Sequence, residues 1–220
     1  MPLLTEEEKA QLNGMALDRL PGFLLFAEGE LTKEVFLIIK GHVKVTSGGA
    51  DHIVAVRGPG DVVGEMAALD GKPRSASVYA LQDITVQVIS QQQWVDFLYN
   101  NPRVFHALVQ MLSARVREAT SKQSRASWFG VEQRLALGLL ELARKLGKTD
   151  ERSIRIEDVS QKELAGLVGA SRESVSQVMR AFRRRGLVAT GRELITVLNP
   201  EQLKEIADGA ATALQTGGES

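Results

Sequence analysis

No cysteine occurs in this chain of 220 residues, which removes disulfides, thiolate zinc sites and cysteine-ligated iron–sulfur clusters from consideration. Histidine is scarce too: His42, His52 and His106 lie in separate segments without metal-ligand spacing, so no metal site is expected. Apolar runs are short and interrupted. The N-terminal Met1-Pro2-Leu3-Leu4-Thr5-Glu6-Glu7-Glu8 has neither the basic region nor the hydrophobic stretch of a signal peptide. These absences predict a cytoplasmic protein with no membrane partner. Net charge is missing as well, but the zero total hides an asymmetry. Residues 102–200 carry 18 Lys/Arg against 10 Asp/Glu, whereas residues 1–101 carry 8 against 13. A basic later half points to a polyanionic partner.

The length suggests two domains, each with its own core. Thr5-Glu6-Glu7-Glu8 has the form of a capping box, and Leu12, Met15 and Ala16 follow at helical spacing, predicting a short amphipathic helix to about Asp18. Short β-prone runs then alternate with Gly-rich turns: Phe23–Phe26, Val35–Ile39, His42–Thr46, Ile53–Val56, Ala76–Ala80 and Thr85–Ile89. Such even spacing predicts a sandwich or a barrel.

One helical interruption falls within that β region. Gly64-Glu65-Met66-Ala67-Ala68 offers backbone N–H groups at the start of a helical turn, and Arg74-Ser75-Ala76 precedes the next strand. Backbone amides at a helix start and a guanidinium fork both suit a phosphate. Glu65, an acceptor-only carboxylate, suits a sugar hydroxyl of the same ligand. Turns of this composition also occur without any ligand, so the stretch alone makes only a candidate site.

After a short helix over Gln91–Tyr99, Asn101-Pro102 opens a segment free of Gly and Pro to about Ala126. Some 25 helical residues reach about 37 Å, more than a small domain needs for itself. Val104, Leu108, Met111, Leu112, Val116 and Ala119 keep a seam spacing, which predicts a partner helix from a second copy in a two-fold dimer. Further on, Thr120, Ser121, Gln123 and Ser124 either emerge into water or serve a ligand at the seam. Ser127-Trp128-Phe129-Gly130 reads as a hinge. Another amphipathic helix follows, with Val131, Leu135, Leu139, Leu142 and Leu146 on one face and Gly147 as its stop.

The most specific signal lies beyond the short strand Ser153–Ile156. Ser160-Gln161-Lys162-Glu163 is a second capping box, and the helix it opens halts at Gly169; another helix begins at Ser171. Counting from Gln161, the fifth residue is Ala165, the ninth Gly169, the fifteenth Val175 and the eighteenth Val178. A helix-turn-helix needs those types: a small residue where the helices cross, a glycine in the turn and apolar residues to pack the second helix. The outward face then carries Arg172, Glu173, Ser176, Gln177 and Arg180, side chains able to read guanine, cytosine and adenine edges in a major groove. Arg183-Arg184-Arg185 lie close to the DNA backbone on this reading. Leu187–Ala189 and Glu193–Val197, joined by a Thr190-Gly191-Arg192 turn, form a wing whose Arg192 can touch phosphate. Asn199-Pro200-Glu201 starts a last short helix, and Gly209 to Ser220 reads as a frayed tail.

Taken together, the chain resembles the cyclic-AMP receptor protein (catabolite activator) and FNR family of bacterial transcription regulators. The likeness rests on Phe26-Ala27-Glu28-Gly29-Glu30 with Val35 to Val45, on Gly64-Glu65-Met66-Ala67 with Arg74-Ser75-Ala76, and on Ser171-Arg172-Glu173-Ser174-Val175. It implies an α+β protein: an N-terminal cyclic-nucleotide-binding β-roll (jelly roll) over 1–101, a dimerisation helix and hinge over 102–130, and a C-terminal winged helix-turn-helix over 131–220. It further implies an allosteric homodimer that binds cyclic AMP and palindromic double-stranded DNA alongside RNA polymerase; the alternative is the same DNA-binding dimer with cyclic GMP, a cyclic dinucleotide or no effector. Glu65 would hold the ribose hydroxyl. Arg74, Ser75, Ala76 and the backbone of Gly64, Glu65, Met66 and Ala67 would hold the cyclic phosphate, and Thr120 with Ser121 would meet the base. DNA contacts would come from Gln161, Ser171, Arg172, Glu173, Ser176, Gln177, Arg180 and Arg192.

Two positions depart from that family's pattern. Gln177 stands where close members have arginine, and Ala119 lacks a hydroxyl common in the base-contacting region. Absent cysteine disfavours the iron–sulfur branch, and the scattered histidines give no support to the haem-sensing one. An enzyme acting on a phosphate ester is not expected, because no second paired carboxylate, metal constellation or activated nucleophile accompanies Glu65 and Arg74.

Overall fold

The computed structural model describes residues 3–49, 52–150 and 153–216, the side chains of 125–127 and 210–216 excepted. Contacts divide the α+β chain into two compact units, one of residues 1–50 and 54–120, the other of 51–53 and 121–220.

In the first unit the elements run α1 (Glu6–Gln11), β1 (Met15–Arg19), β2 (Leu24–Phe26), β3 (Val35–Lys40), β4 (Val43–Thr46), β5 (Ile53–Arg57), β6 (Val62–Val63), α2 (Glu65–Asp70), β7 (Ser77–Ala80), β8 (Ile84–Ile89), α3 (Gln91–Asn100) and the start of α4 (Pro102–Trp128). They form two four-stranded sheets, β1-β8-β3-β6 and β2-β7-β4-β5. Alternation in β3 shows where the cores lie. Phe36 and Ile38 join Phe26, Val43, Val78 and Ala80 from the opposite sheet, while Val35 and Leu37 point the other way, into a cluster with Trp94, Phe97, Val104 and Leu108 of α3 and α4. Both faces of this strand are buried, so it reads as an unbroken apolar run.

The second cluster takes Val104 and Leu108 out of the seam drawn from the sequence, whose Val116 and Ala119 stay exposed. Val104 and Leu108 are almost wholly buried within their own unit, with Met111 and Leu112 packed against them. Burying such side chains is worth roughly 1.5–3 kcal/mol each, so they are not available to a second copy. What α4 exposes instead is Phe105, Val109 and Val116, at 53%, 46% and 65% exposure, with half-buried Leu112 and exposed Ala119 completing a four-three spacing.

The N-terminal helix is also shorter than predicted. Thr5 closes the expected capping box with Glu8, but α1 ends at Gln11, and Met15–Arg19 pair with β8 as an edge strand. Gly14 permits the change of direction: a Cβ there would lie 2.6 Å from the Val88 carbonyl oxygen. Sheet pairing outweighs the helical spacing of Leu12, Met15 and Ala16. Strand β6 was not foreseen, being only two residues long.

The second unit holds α5 (Val131–Leu146), β9 (Lys148–Asp150), β10 (Ser153–Glu157), α6 (Gln161–Val168), α7 (Arg172–Arg184), β11 (Val188–Gly191), β12 (Leu194–Val197) and α8 (Pro200–Thr216), with sheet order β11-β12-β10-β9. The wing is tighter than predicted. Thr190 and Gly191 belong to the ladder, opposite Ile195 and Leu194, and the turn falls on Arg192-Glu193, with Glu193 in the left-handed region at φ 51°. The tail read as frayed from Gly209 is helical to Thr216; residues 217–220 lie outside the described residues. Among the described residues, no helix is long and apolar enough to cross a membrane.

Candidate functional site

Strand β6 delivers the chain to Gly64, which adopts φ 84° and starts α2. Glycine is required there twice over. The left-handed conformation penalises a side chain, and a Cβ would sit 2.5 Å from Arg74 Nη1 and 2.7 Å from the Glu34 carbonyl oxygen.

Arg74 is 3% exposed. Its Nη1 donates to the Gly64 carbonyl at 2.9 Å, Nη2 to the Glu34 carbonyl at 2.8 Å and Nε to the Thr32 hydroxyl at 3.0 Å. The guanidinium also stands 4.1 Å from the centroid of the Phe26 ring, and Glu34 Oε2 lies 3.7 Å from Nη2. Burial lowers the Arg74 pKa from its ordinary value, a shift opposed by the charges of Glu34, Glu30 and Glu65. An arginine pKa lies so far above neutrality that the group stays charged. The cassette therefore contains a buried cation whose surroundings orient it.

Glu65 is likewise 3% exposed, and its partner comes from α4: Arg115 Nη1 donates to Glu65 Oε1 at 2.7 Å, and Arg115 Nη2 to the Val62 carbonyl at 2.8 Å. Met66 is half exposed, Ala67 buried, Ser75 exposed and Ala76 half-buried. The Ser75 hydroxyl lies 3.9 Å from Met66 Sδ, so the two ends of the cassette meet. Gly64, Glu65, Met66, Arg74 and Ser75 are thus brought together. Thr120, exposed, and Ser121, half-buried, lie on α4 beyond Arg115. Sequence reasoning missed Arg115, Thr32, Glu34 and Phe26 as parts of this site. No local signal marks them, since their partners lie 40 or more residues away.

In the second unit, Gly169 takes the left-handed conformation at φ 61° and its N–H bonds the carbonyls of Ala165 and Gly166, which ends α6. Ala165 is buried as the crossing requires, and on α5 a Cβ at Gly138 would fall 2.8 Å from Val168 Cγ1. Val175, Met179 and Phe182 anchor α7, with Val178 half-buried. Ser171 caps α7 by accepting from the Ser174 N–H. Arg172, Glu173, Gln177 and Arg180 are exposed on one side of α7; Ser176 is half-buried, as is Gln161 at the start of α6. Gln177, Arg180, Arg183 and Arg184 line a groove of about 670 Å³. The arginine triplet is not uniform. Arg183 Nη1 donates to the wing's Thr190 hydroxyl at 3.3 Å, and Arg185 Nη1 to Glu132 Oε1 of α5 at 2.9 Å in a half-exposed surface pair. Arg192 is exposed at the wing tip. Among the described residues there is no cluster of His, Asp and Glu that could hold a metal ion.

A family model for the cyclic nucleotide-binding domain matches residues 20–101, and one for the Crp-like helix-turn-helix domain matches residues 133–206. The chain is 33% identical over 191 residues to the cyclic AMP receptor protein of Thermus thermophilus, covering 85% of each protein. It is 28% identical over 186 residues to the CRP-like cAMP-activated global transcriptional regulator of Mycobacterium tuberculosis, covering 83% of each. A solved transcriptional regulator of the CRP/FNR family, also from Thermus thermophilus, shares the fold, with a TM-score of 0.76 at 24% identity over 88% of this chain and 98% of that one.

Proposed function

The chain belongs to the cyclic-AMP receptor protein and FNR family, as a cyclic-nucleotide-binding, DNA-binding transcription regulator, and we propose that cyclic AMP is its effector and a homodimer its working form. The effector is supported by the cassette that brings Gly64, Glu65, Arg74 and Ser75 together and by the likeness to a cyclic AMP receptor protein, and the Glu65–Arg115 bond ties that cassette to α4. Residues 1–101 act as the nucleotide-binding domain, 102–130 as dimerisation helix and hinge, and 131–220 as the DNA-binding domain.

The cyclic phosphate meets Arg74, Ser75, Ala76 and the backbone of Gly64 to Ala67, while Glu65 accepts from the ribose hydroxyl. Because Arg115 already donates to Glu65, a ribose hydroxyl arriving there shares the carboxylate with α4, and ligand occupancy is felt by that helix. Thr120 and Ser121 meet the base, which gives the polar stretch of α4 its use. Dimerisation runs along Phe105, Val109, Val116 and Ala119, which α4 leaves exposed, with Leu112 at the edge of the unit's own core between them. Two recognition helices then enter successive major grooves about 34 Å apart. Arg172, Glu173, Ser176, Gln177 and Arg180 read bases, and Gln161, Ser171 and Arg192 contact the backbone. The protein is not an enzyme; it acts in the cytoplasm beside RNA polymerase.

Regulation requires the nucleotide to bind the two arrangements of the dimer unequally, by about 1–3 kcal/mol. Fluorescence anisotropy on a palindromic site selected from random DNA tests this. Cyclic AMP is expected to tighten binding, cyclic GMP and a cyclic dinucleotide to do so less, and Arg74→Leu to abolish the response. DNA affinity that ignores every nucleotide would overturn the mechanism.

A further inference from the structure

An arginine that receives a phosphate works best when its guanidinium is already held where the anion arrives, because a loose side chain loses its rotamer freedom on binding. Two of the three acceptors that hold Arg74 are main-chain carbonyls, those of Gly64 and Glu34. Only the third, the Thr32 hydroxyl at 3.0 Å from Nε, is a side chain. The same hydroxyl lies 3.5 Å from Glu30 Oε2 and donates toward it, which leaves its lone pairs for the arginine. The main chain registers this loop on Arg74 independently: the Gly29 N–H donates to the Arg74 carbonyl at 2.9 Å, and the Arg74 N–H to the Glu30 carbonyl at 2.8 Å. Thr32 is itself exposed and contributes little to the core. A guanidinium has five N–H donors, and the three bonds above leave one on Nη1 and one on Nη2.

The geometry points to Thr32 as a positioning residue of the phosphate subsite. Its hydroxyl holds Arg74 in the rotamer that leaves one N–H on each Nη outside the three hydrogen bonds, Nη2 also lying 3.7 Å from Glu34 Oε2, and so keeps the guanidinium in place for the cyclic phosphate. The inference rests on the reading of Arg74 as the phosphate ligand and extends it to a loop residue 42 positions away.

The test uses the full-length protein and two variants, Thr32→Val, which is nearly isosteric but lacks the hydroxyl, and Thr32→Ser, which keeps it. Calorimetric titration with cyclic AMP is expected to show roughly tenfold weaker binding for Thr32→Val, the effect of losing one hydrogen bond to a charged group. Thr32→Ser should restore affinity close to that of the parent, and the lower thermal midpoint expected of ligand-free Thr32→Val, which leaves the buried Nε–H without an acceptor, should return to the parent value in Thr32→Ser. In the ligand-free protein, exchange of the Arg74 Nε–H proton, followed by NMR and assigned with Arg74→Lys, should be slow in the parent and in Thr32→Ser and fast in Thr32→Val. Parent-like cyclic AMP affinity in Thr32→Val, equal losses in both variants, or unchanged Nε–H exchange would each overturn the positioning role alone. Failure of the parent to bind cyclic AMP or cyclic GMP would instead overturn the reading of the pocket, and the positioning role with it.

Discussion

Arg115 Nη1 donates to Glu65 Oε1 at 2.7 Å, linking two residues 50 positions apart. The carboxylate is buried, whereas the Arg115 side chain keeps about a fifth of its surface exposed. Removing Arg115 therefore strands a buried carboxylate, and removing Glu65 leaves a partly exposed guanidinium with only the Val62 carbonyl. Glu65→Leu or Arg115→Leu alone should cost about 2 kcal/mol in urea denaturation, and the combined variant should cost clearly less than the sum of the two. Additive losses would mean that the pair is not coupled.

The exposed stripe on α4 makes the proposed dimer testable separately from the fold. Val116→Asp alters a side chain that is 65% exposed and should leave thermal stability near that of the parent while shifting sedimentation toward monomer. Leu108→Asp, in the unit's own core, should instead destabilise the fold by about 3 kcal/mol or more. Unchanged association in Val116→Asp would remove this face as the interface.

Exposed cations of the second unit should separate into two kinds. Arg172→Ala, on α7, is expected to cost about 1–3 kcal/mol on the selected site and to relax preference at one base position. Arg192→Ala, at the wing tip, should weaken all DNA sequences alike and lower the salt slope by about one. Binding titrations at several salt concentrations distinguish the two; equal behaviour would contradict a wing that touches only backbone.

Glu8 ties the N-terminal helix to α4. Arg103 Nε donates to its Oε1 at 2.6 Å, and Arg103 Nη2 bonds Oε2 and the Leu3 carbonyl. The Arg103 hydrogen bond, helped by Thr5 and opposed by burial, holds the Glu8 carboxyl down to about 2, against an ordinary value of 4.5. A carboxyl depressed on folding stabilises above its unfolded pKa, and that contribution disappears as pH falls through its folded pKa. Both side chains reach solvent, so the contribution is on the order of 1 kcal/mol. Glu8→Gln should thus be less stable than the parent at pH 6, with the difference closing between pH 4.5 and about 2; a gap that persists at pH 2 would contradict the assignment.

Local chemistry was legible wherever a few neighbouring residues decide it. The capping boxes at Thr5 and Ser160 form as read, Gly169 makes the turn between α6 and α7, and Val175 and Phe182 are buried. Where pairing across the sheet competes, local spacing misleads: Met15 and Ala16 carry helical periodicity, yet they take strand positions opposite Val88 and Gln87. The seam of α4 divides for a related reason: Val116 and Ala119 are exposed, whereas Val104 and Leu108 are buried. Val104 and Leu108 satisfy a heptad equally well whether they face a second copy or their own domain, and periodicity does not say which.

The sequence by itself determined the class of the protein: an α+β chain with a Gly-Glu cassette, an Arg-Ser pair before a strand, a long helix and a helix-turn-helix, each written in contiguous residues. Only the tertiary structure decided that Arg74 is sheathed by Thr32, Glu34 and Gly64, that Glu65 is held by Arg115, and that Phe105, Val109 and Val116 are the exposed stripe of α4. Hydrogen-bond partners and burial depend on which distant segments the fold brings within about 3 Å. That information is carried jointly by both cores and by no single stretch of the chain.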